Sequence, residues 1–320
     1  MRVLKLVTAA MLLAAAAALP SFADQKAFLG RWNLTGTGAN ADRVYWLEVQ
    51  ENGGKLTARF LNRSGSPLPI PEVKVEGDEL SFTLPPPPNA PSTAKPTELR
   101  AKVQGGKLTG SVTNATGTVS IVGVRPPKWG PADANAKHTF GKPIDLFDGK
   151  AIDTTFTLQR PDQPSGWTVA DGAMTNEPHA NNLISKQKFK DFKIHAEYKL
   201  EKDSNSGIFL RGRYELQVVD DFGKPVESHG HMSIYSWVAP LVNASKAPGE
   251  WQTMEATIVG NKVSVTLNGQ KVQDNATIQA ITGGALDNDE LAPGPIMLQG
   301  DHGKVWYRKV TVTPITNGGS

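Results

Sequence analysis

Glu215, Gln217 and Asp220 stand at i, i+2 and i+5 within a polar stretch spanning residues 205–235. In an extended strand, alternate side chains share a face, so Glu215 and Gln217 would project side by side, about 6–7 Å apart. From 208 to 218 the alternation predicts one continuous strand. Ile208, Leu210, Tyr214, Leu216 and Val218 fall on its apolar face, and Phe209, Arg211, Arg213, Glu215 and Gln217 on the other. A row of two Arg, a Glu and a Gln is the lining expected of a cleft rather than of an ordinary solvated face. Two carboxylates flanking a glycosidic bond are what ordinary glycoside hydrolysis requires. Here the neighbour of Glu215 is an amide, which neither attacks nor ionises, so that mechanism lacks a component. The stretch continues into Asp220-Asp221 and His229-Gly230-His231, and a later segment, Gln299-Gly300-Asp301-His302-Gly303, repeats the same mixture of carboxylate and imidazole.

The elements that must position these groups follow from composition. The chain has 320 residues, Gly 31, Pro 23 and no Cys, with few segments of helical period, which predicts an all-β protein of two domains held by their own cores rather than by disulfides. A basic start, an apolar run from Leu6 to Leu19 and the small-residue site Ser21-Phe22-Ala23 predict a secretory signal peptide over 1–23, too short to span a bilayer. The expected location is therefore periplasmic or secreted. The formal charge of +3, less the positive charges of Arg2 and Lys5, becomes +1, which argues against nucleic acid or an anionic membrane as partner.

Residues 24–128 are expected to form a small meander barrel of about eight short strands, with turns at Asn52-Gly53-Gly54, Gly77-Asp78 and Gly105-Gly106. Its opening Gly30-Arg31-Trp32 resembles the start of lipocalin-like barrels. A stiff proline-rich loop begins at Pro85, and a linker is placed over 129–143. Residues 144–314 then carry eleven candidate strands, one of them at 231–234. Asn268-Gly269 marks a tight hairpin, and the predicted fold is a two-sheet sandwich with one concave face for an elongated ligand.

Within 144–313 a series of motifs appears in order. They are Leu-Phe-Asp-Gly-Lys at 146–150, Trp-Thr-Val-Ala-Asp-Gly at 167–172, Asp-Phe at 191–192 and Asn-Ser-Gly-Ile-Phe-Leu-Arg at 205–211. Then come Tyr-Glu-Leu-Gln-Val-Val-Asp-Asp at 214–221, Gly-Glu-Trp at 249–251, Leu-Asn-Gly at 267–269 and Gly-Pro-Ile-Met-Leu-Gln-Gly-Asp-His-Gly at 294–303. As a set they resemble the 3-keto-disaccharide hydrolases, a family built on a concanavalin-like jelly roll. One departure is Gly300, inserted between the Leu-Gln and Asp-His-Gly segments that the family joins directly. The resemblance implies a carbohydrate-active enzyme that acts on 3-keto-glycosides, and the leader at 1–23 implies that it is exported. The C3 ketone acidifies the C2 hydrogen, a base removes it, the C1 oxygen leaves, and water adds afterwards. Such a site needs a base, an acid and a stabiliser for the enolate oxygen. On that reading Glu215, His231 and His302 form the acid–base set, Arg211 clamps an oxyanion or hydroxyl, and Gln217, Asn205, Asp301 and Tyr235 hold the sugar.

Each assignment has an alternative. Arg211 and Glu215 can be a simple ion pair, His229 a loop residue in water, and Asp301-His302-Gly303 a turn closed by an Asx bond. Asp220 and Asp221 are either a solvated acidic turn or oxygen ligands for a divalent cation such as Ca²⁺, and no other cofactor is implied. Two other functions are carried alongside: a lectin-like sugar-binding protein without catalysis, and an ordinary jelly-roll glycosidase.

Overall fold

A computed structural model of the chain describes residues 25–86 and 90–316. The leader expected at 1–23 lies outside the described residues, as do residues 87–89 of the proline-rich loop. The fold is all-β, a nearly closed barrel followed by a two-sheet sandwich of jelly-roll type.

The barrel is a single antiparallel sheet of nine strands. Strand Gly30–Gly36 pairs with its successor Val44–Asn52 and also with the last strand, Gly117–Val124, so the meander curls back on itself. Alternating side chains fill the interior: Trp32, Leu34, Tyr45, Leu47, Phe60, Leu80, Leu99 and Leu108 are all fully buried. The Trp32 indole donates to the Phe28 carbonyl at 2.8 Å, and the Arg125 guanidinium covers its ring at 3.4 Å. The ninth strand, beyond the eight expected, is Leu68–Ile70. Pro69 within it cannot donate to a ladder, which hid the strand and also confines it to the sheet edge.

The sandwich has an eight-stranded and a five-stranded sheet. In the larger sheet, Phe192–Leu200 alternates buried and half-buried side chains, as expected of a strand with one face on the core. The smaller sheet runs Phe156–Leu158, Leu183–Phe189, Gly294–Leu298, Asn205–Leu210, Tyr214–Val219. Its last strand is buried on both faces over nearly its whole length, even though one face carries Glu215 and Gln217.

Two sequence expectations are corrected. The continuous strand over 208–218 is a hairpin: Asn205–Leu210 pairs with Tyr214–Val219 across Arg211, Gly212 and Arg213. Arg211 and Gly212 adopt φ of 55° and 65°. Glycine takes that region freely, and Arg211 is held there because its guanidinium is bound at three points. Residues 231–234 form turns instead of a strand, joined to the sheet by an isolated bridge between Leu216 and Ile234.

The barrel is not tethered loosely. Val44, Trp46 and Leu61 on its outer surface belong to the sandwich's own hydrophobic cluster. Trp46 meets Trp237 edge-on at 5.0 Å, and the Arg59 guanidinium lies over both rings. Polar groups cross the same interface: buried Asn33 donates to buried Glu290 at 2.7 Å, and half-buried Asn288 donates to the Leu34 carbonyl at 2.6 Å. The connection over 129–143 is also pinned, with the Ala134 amide on Asn275 at 2.9 Å and Asn135 on Asp274 at 2.6 Å.

Because Trp46 is wholly buried in the sandwich's cluster while standing on a barrel strand, Trp46→Ala is expected to cost roughly 3–5 kcal/mol. It should lower one common unfolding transition in calorimetry. Two transitions, with the sandwich's unmoved, would contradict this coupling.

Candidate active site

Three adjacent strands form the floor of a cavity of about 320 Å³. Tyr214–Val219 contributes Glu215 and Gln217, Asn205–Leu210 contributes Asn205 and Phe209, and Met297 and Gln299 come from the third strand and its end. Strand parity puts these side chains on one face. Gly207 is paired with Gln217, diagonal to Glu215. A Cβ at Gly207 would lie 2.4 Å from Glu215 Oε1, so the missing side chain is what leaves room for the Glu215 carboxyl.

Glu215 is 5% exposed, and among the described residues its carboxyl makes no hydrogen bond. Burial, with the nearby Asp301 charge adding to it, pushes its pKa up to about 8. Asp301 behaves in the opposite way. Burial would raise it, but the hydrogen bond from His302 at 2.8 Å, the His302 charge, Asn182 and Arg160 together hold it below the usual carboxylate range. The same bond raises His302 above the ordinary histidine value, against the effect of burial. A neutral carboxylic acid therefore shares one pocket with an ionised Asp301 carboxylate and the imidazole it holds. Environments that split the pKa values of neighbouring groups are what proton-transfer sites need.

The loop carrying Asp301 and His302 is held by two asparagines. Asn182 Oδ1 accepts the amides of Gly300 and Asp301 at 2.7 and 3.2 Å. Buried Asn176 donates to the carbonyls of Gly300 and Gly303 and accepts the Val305 amide. Gly300 lies where a Cβ would be 2.5 Å from the Asn181 carbonyl and 2.8 Å from the Trp167 indole nitrogen. Only glycine fits that approach, so this residue lets the loop pack against the sheet with Asp301 and His302 in the pocket lining.

The structure thus brings together Glu215, Gln217, Asn205, Tyr235, Asp301 and His302. Gln217 Oε1 accepts the Val218 amide at 3.0 Å, which leaves its Nε2 as a donor. Asn205 Oδ1 is buried and has no hydrogen-bond partner among the described residues. Burial raises the Tyr235 pKa, with Glu215 adding to the shift.

His231 and Arg211 do not reach this pocket, and their sequence-based roles are corrected. His231 is buried beside Tyr198, whose hydroxyl lies 2.6 Å from Nε2, while Nδ1 lies 2.8 Å from the Val219 carbonyl. Its ring joins the two sheets, and burial lowers its pKa. Arg211 leaves the row at the hairpin turn and pairs with Asp191 at 2.8 Å, also donating to the Lys190 and Gly260 carbonyls. It is neither a clamp in the pocket nor the partner of Glu215. Asp220 and Asp221 are corrected as cation ligands. Asp220 Oδ2 accepts the Asp203 amide, and Asp221 accepts the His231 amide and bonds to Asn243 and Ser245, so both carboxylates fasten the loops of the chain itself. No group of three His, Asp or Glu among the described residues is placed to hold a metal ion.

Sequence reasoning missed Gln159, Asn182, Met297, Gly283, Gly284, Ser64 and Gly65, all of which line the pocket. The quoted motifs ran through Met297 and Gln299 without assigning either a role. No local pattern marks the barrel residues Ser64 and Gly65.

Residues 142–313 match the family described as 3-keto-alpha-glucoside-1,2-lyase-like domain. A protein of Bacteroides thetaiotaomicron named 3-keto-disaccharide hydrolase is 24% identical over 164 residues, which is 40% of this chain and 57% of that protein. The chain therefore spans a little over half the length of this relative. Among solved structures, a candidate glycosyl hydrolase from Parabacteroides distasonis is 28% identical, with TM-score 0.48, covering 59% of this chain and 94% of its own. A second from the same organism is 19% identical with TM-score 0.45, covering 54% and 94%.

The folded-state pKa of Glu215 lies above its unfolded value. The unfolded chain therefore loses this proton first, and native stability falls as pH rises from about 4.5 to about 8. Glu215→Gln removes that burden. In thermal denaturation it should match the wild type near pH 4 and exceed it at pH 9, by an amount on the order of a few kcal/mol. An equal difference at both pH values would show that Glu215 is not a raised, buried acid.

Proposed function

The chain belongs to the 3-keto-alpha-glucoside-1,2-lyase-like family, and from that premise we propose that it is an exported enzyme cleaving the glycosidic bond of 3-keto-glycosides in this pocket. A carbohydrate-active, glycosyl-hydrolase-like function follows from the membership itself. The 3-keto substrate and the acid–base route rest on one observation: a protonated, buried Glu215 shares its pocket with the Asp301–His302 pair, and Gln217 stands where a second carboxylate would serve ordinary hydrolysis.

The route runs as follows. A C3 ketone makes the C2 hydrogen acidic, because the electrons of that bond can pass to the ketone oxygen as an enolate. Neutral His302, its Nδ1 held by Asp301, takes the C2 proton. The enolate then collapses to a C1=C2 double bond and expels the C1 oxygen, which receives the proton of Glu215. Water adds across the double bond with the roles reversed. Ionised Glu215 takes its proton as the hydroxyl joins C1, and protonated His302 returns a proton to C2, which restores the starting site. Gln217 Nε2 is the donor available to the enolate oxygen. Asn205 Oδ1 is the acceptor for a sugar hydroxyl, and Tyr235 contributes at the pocket edge.

Activity on this route requires neutral His302 and protonated Glu215. The kcat/KM profile should rise through a histidine pKa above the ordinary value and fall through about 8. Purified protein should release the aglycone from a 3-keto-glucoside and not from the same glucoside unoxidised, and Glu215→Gln should lower that rate by about 10²–10⁴. Release from the unoxidised compound would indicate an ordinary glycosidase, and binding without release a sugar-binding protein. Gly207→Ala, which crowds the Glu215 carboxyl without altering a titrating group, should also reduce kcat by at least about tenfold. An unchanged kcat would remove Glu215 placement from the mechanism.

A further inference from the structure

The sheet order decides which side of the pocket each residue occupies. Gln159 and Asn182 adjoin the strands Phe156–Leu158 and Leu183–Phe189, so with Asp301 and His302 they stand on one side. Tyr214–Val219 is the edge strand at the other side, and Glu215 lies on it. Beyond that edge the sandwich offers no further strand. The sandwich's own segment 232–235 pairs with that edge, the Met232 and Tyr235 amides donating to the Gln217 and Glu215 carbonyls, and above it the barrel loop between Lys55–Leu61 and Leu68–Ile70 brings Ser64 and Gly65 into the pocket lining.

This loop is seated on two segments of the sandwich, 283–284 and 229–236. A Cβ at Gly283 would lie 2.4 Å from the Gly65 carbonyl oxygen and 2.5 Å from its nitrogen, so the two backbones touch directly. The Gly284 amide donates to the Arg63 carbonyl at 2.8 Å. The Ser66 hydroxyl bonds His229 Nε2 at 2.8 Å and Ser236 Oγ at 2.7 Å, and the His229 ring stands edge-on to Tyr235 at 5.0 Å. Within the loop, Arg63 and Gly65 hold φ of 66° and 72°. A non-glycine residue in that region persists where its surroundings impose it.

We infer that this barrel loop is the end wall of the glycoside pocket and limits the size of the group that can extend past Glu215. The inference rests on the reading of the pocket as the glycoside site. The cavity of about 320 Å³ is at the small end of ligand pockets, which span roughly 300–1,000 Å³. A terminal 3-keto-glycosyl unit with a short aglycone fits that description, and a long chain threading past Glu215 does not. The barrel is then part of the substrate site and a determinant of its specificity.

The test uses two full-length variants with opposite effects. Ser64 is exposed, so Ser64→Trp thickens the wall without disturbing a core, and Ser66→Ala removes the hydroxyl that ties the wall to His229 and Ser236. For each, kcat/KM is measured on a methyl 3-keto-glucoside and on a 3-keto-disaccharide. Ser64→Trp should lower the disaccharide-to-methyl-glucoside ratio by at least about tenfold, within the range that steric pockets discriminate, and Ser66→Ala should raise it. A ratio unchanged in both variants overturns the wall. If the wild type cleaves neither compound, the proposed reaction fails on its own account, and the wall is judged from calorimetric Kd values for the same pair. An unchanged Kd ratio then overturns it, and binding of neither compound overturns both readings.

Discussion

The site depends on one carboxyl kept out of water. Glu215 lies on an edge strand buried on both faces, over a glycine that leaves it room, with no hydrogen-bond donor among the described residues to favour its ionised form. An isolated carboxylate is costly to bury, so the group retains its proton to about pH 8. On the proposed route that protonation makes Glu215 the acid at neutral pH and leaves the neighbouring Asp301–His302 pair the complementary task. If water reached the carboxyl freely, its pKa would return toward the ordinary value and the two groups would no longer be matched for proton exchange.

Exclusion of water is shared between the two halves of the chain. The five-stranded sheet supplies the floor, and the asparagine-pinned loop at 300–303 covers one side. On the side of Tyr214–Val219 the segment 232–235 pairs with the strand edge, and the barrel loop adds Ser64 and Gly65 beside it. This accounts for an interface that is unusually core-like for two adjoining units, with Trp46 and Trp237 packed together and Glu290 held by Asn33 from one unit and Tyr214 from the other. A barrel that moved freely would uncover the acid. Its docking is therefore bound up with the electrostatics of the pocket as well as with stability.

Much of the architecture was legible in local pattern. Alternation marked the barrel strands and the paired strands of the sandwich, and Gly-rich turns marked their connections. The motif series led to the jelly roll and the family, and it pointed to Glu215, Gln217, Asn205, Asp301 and His302. The failures also had local causes. Parity was extended through Arg211-Gly212-Arg213 as though the strand ran straight, although Gly212 at a left-handed turn reverses the chain and carries Arg211 away to Asp191. His231 was grouped with the reactive residues because of its type and nearness in sequence. Its partner Tyr198 is 33 positions away and lies on the opposite sheet.

What the sequence determined by itself is whatever depends on neighbours along the chain: strand parity, turn chemistry, and the identity of the groups presented on one strand face. What only the tertiary structure decided is how far each group is removed from water and what stands opposite it. The raised Glu215, the counterpoised Asp301 and His302, the displaced Arg211 and His231, and the wall built by Ser64 and Gly65 all arise from contacts between distant segments. Desolvation and Coulomb interaction act through space, so no window of sequence contains them until the sheets and the barrel have closed around the pocket.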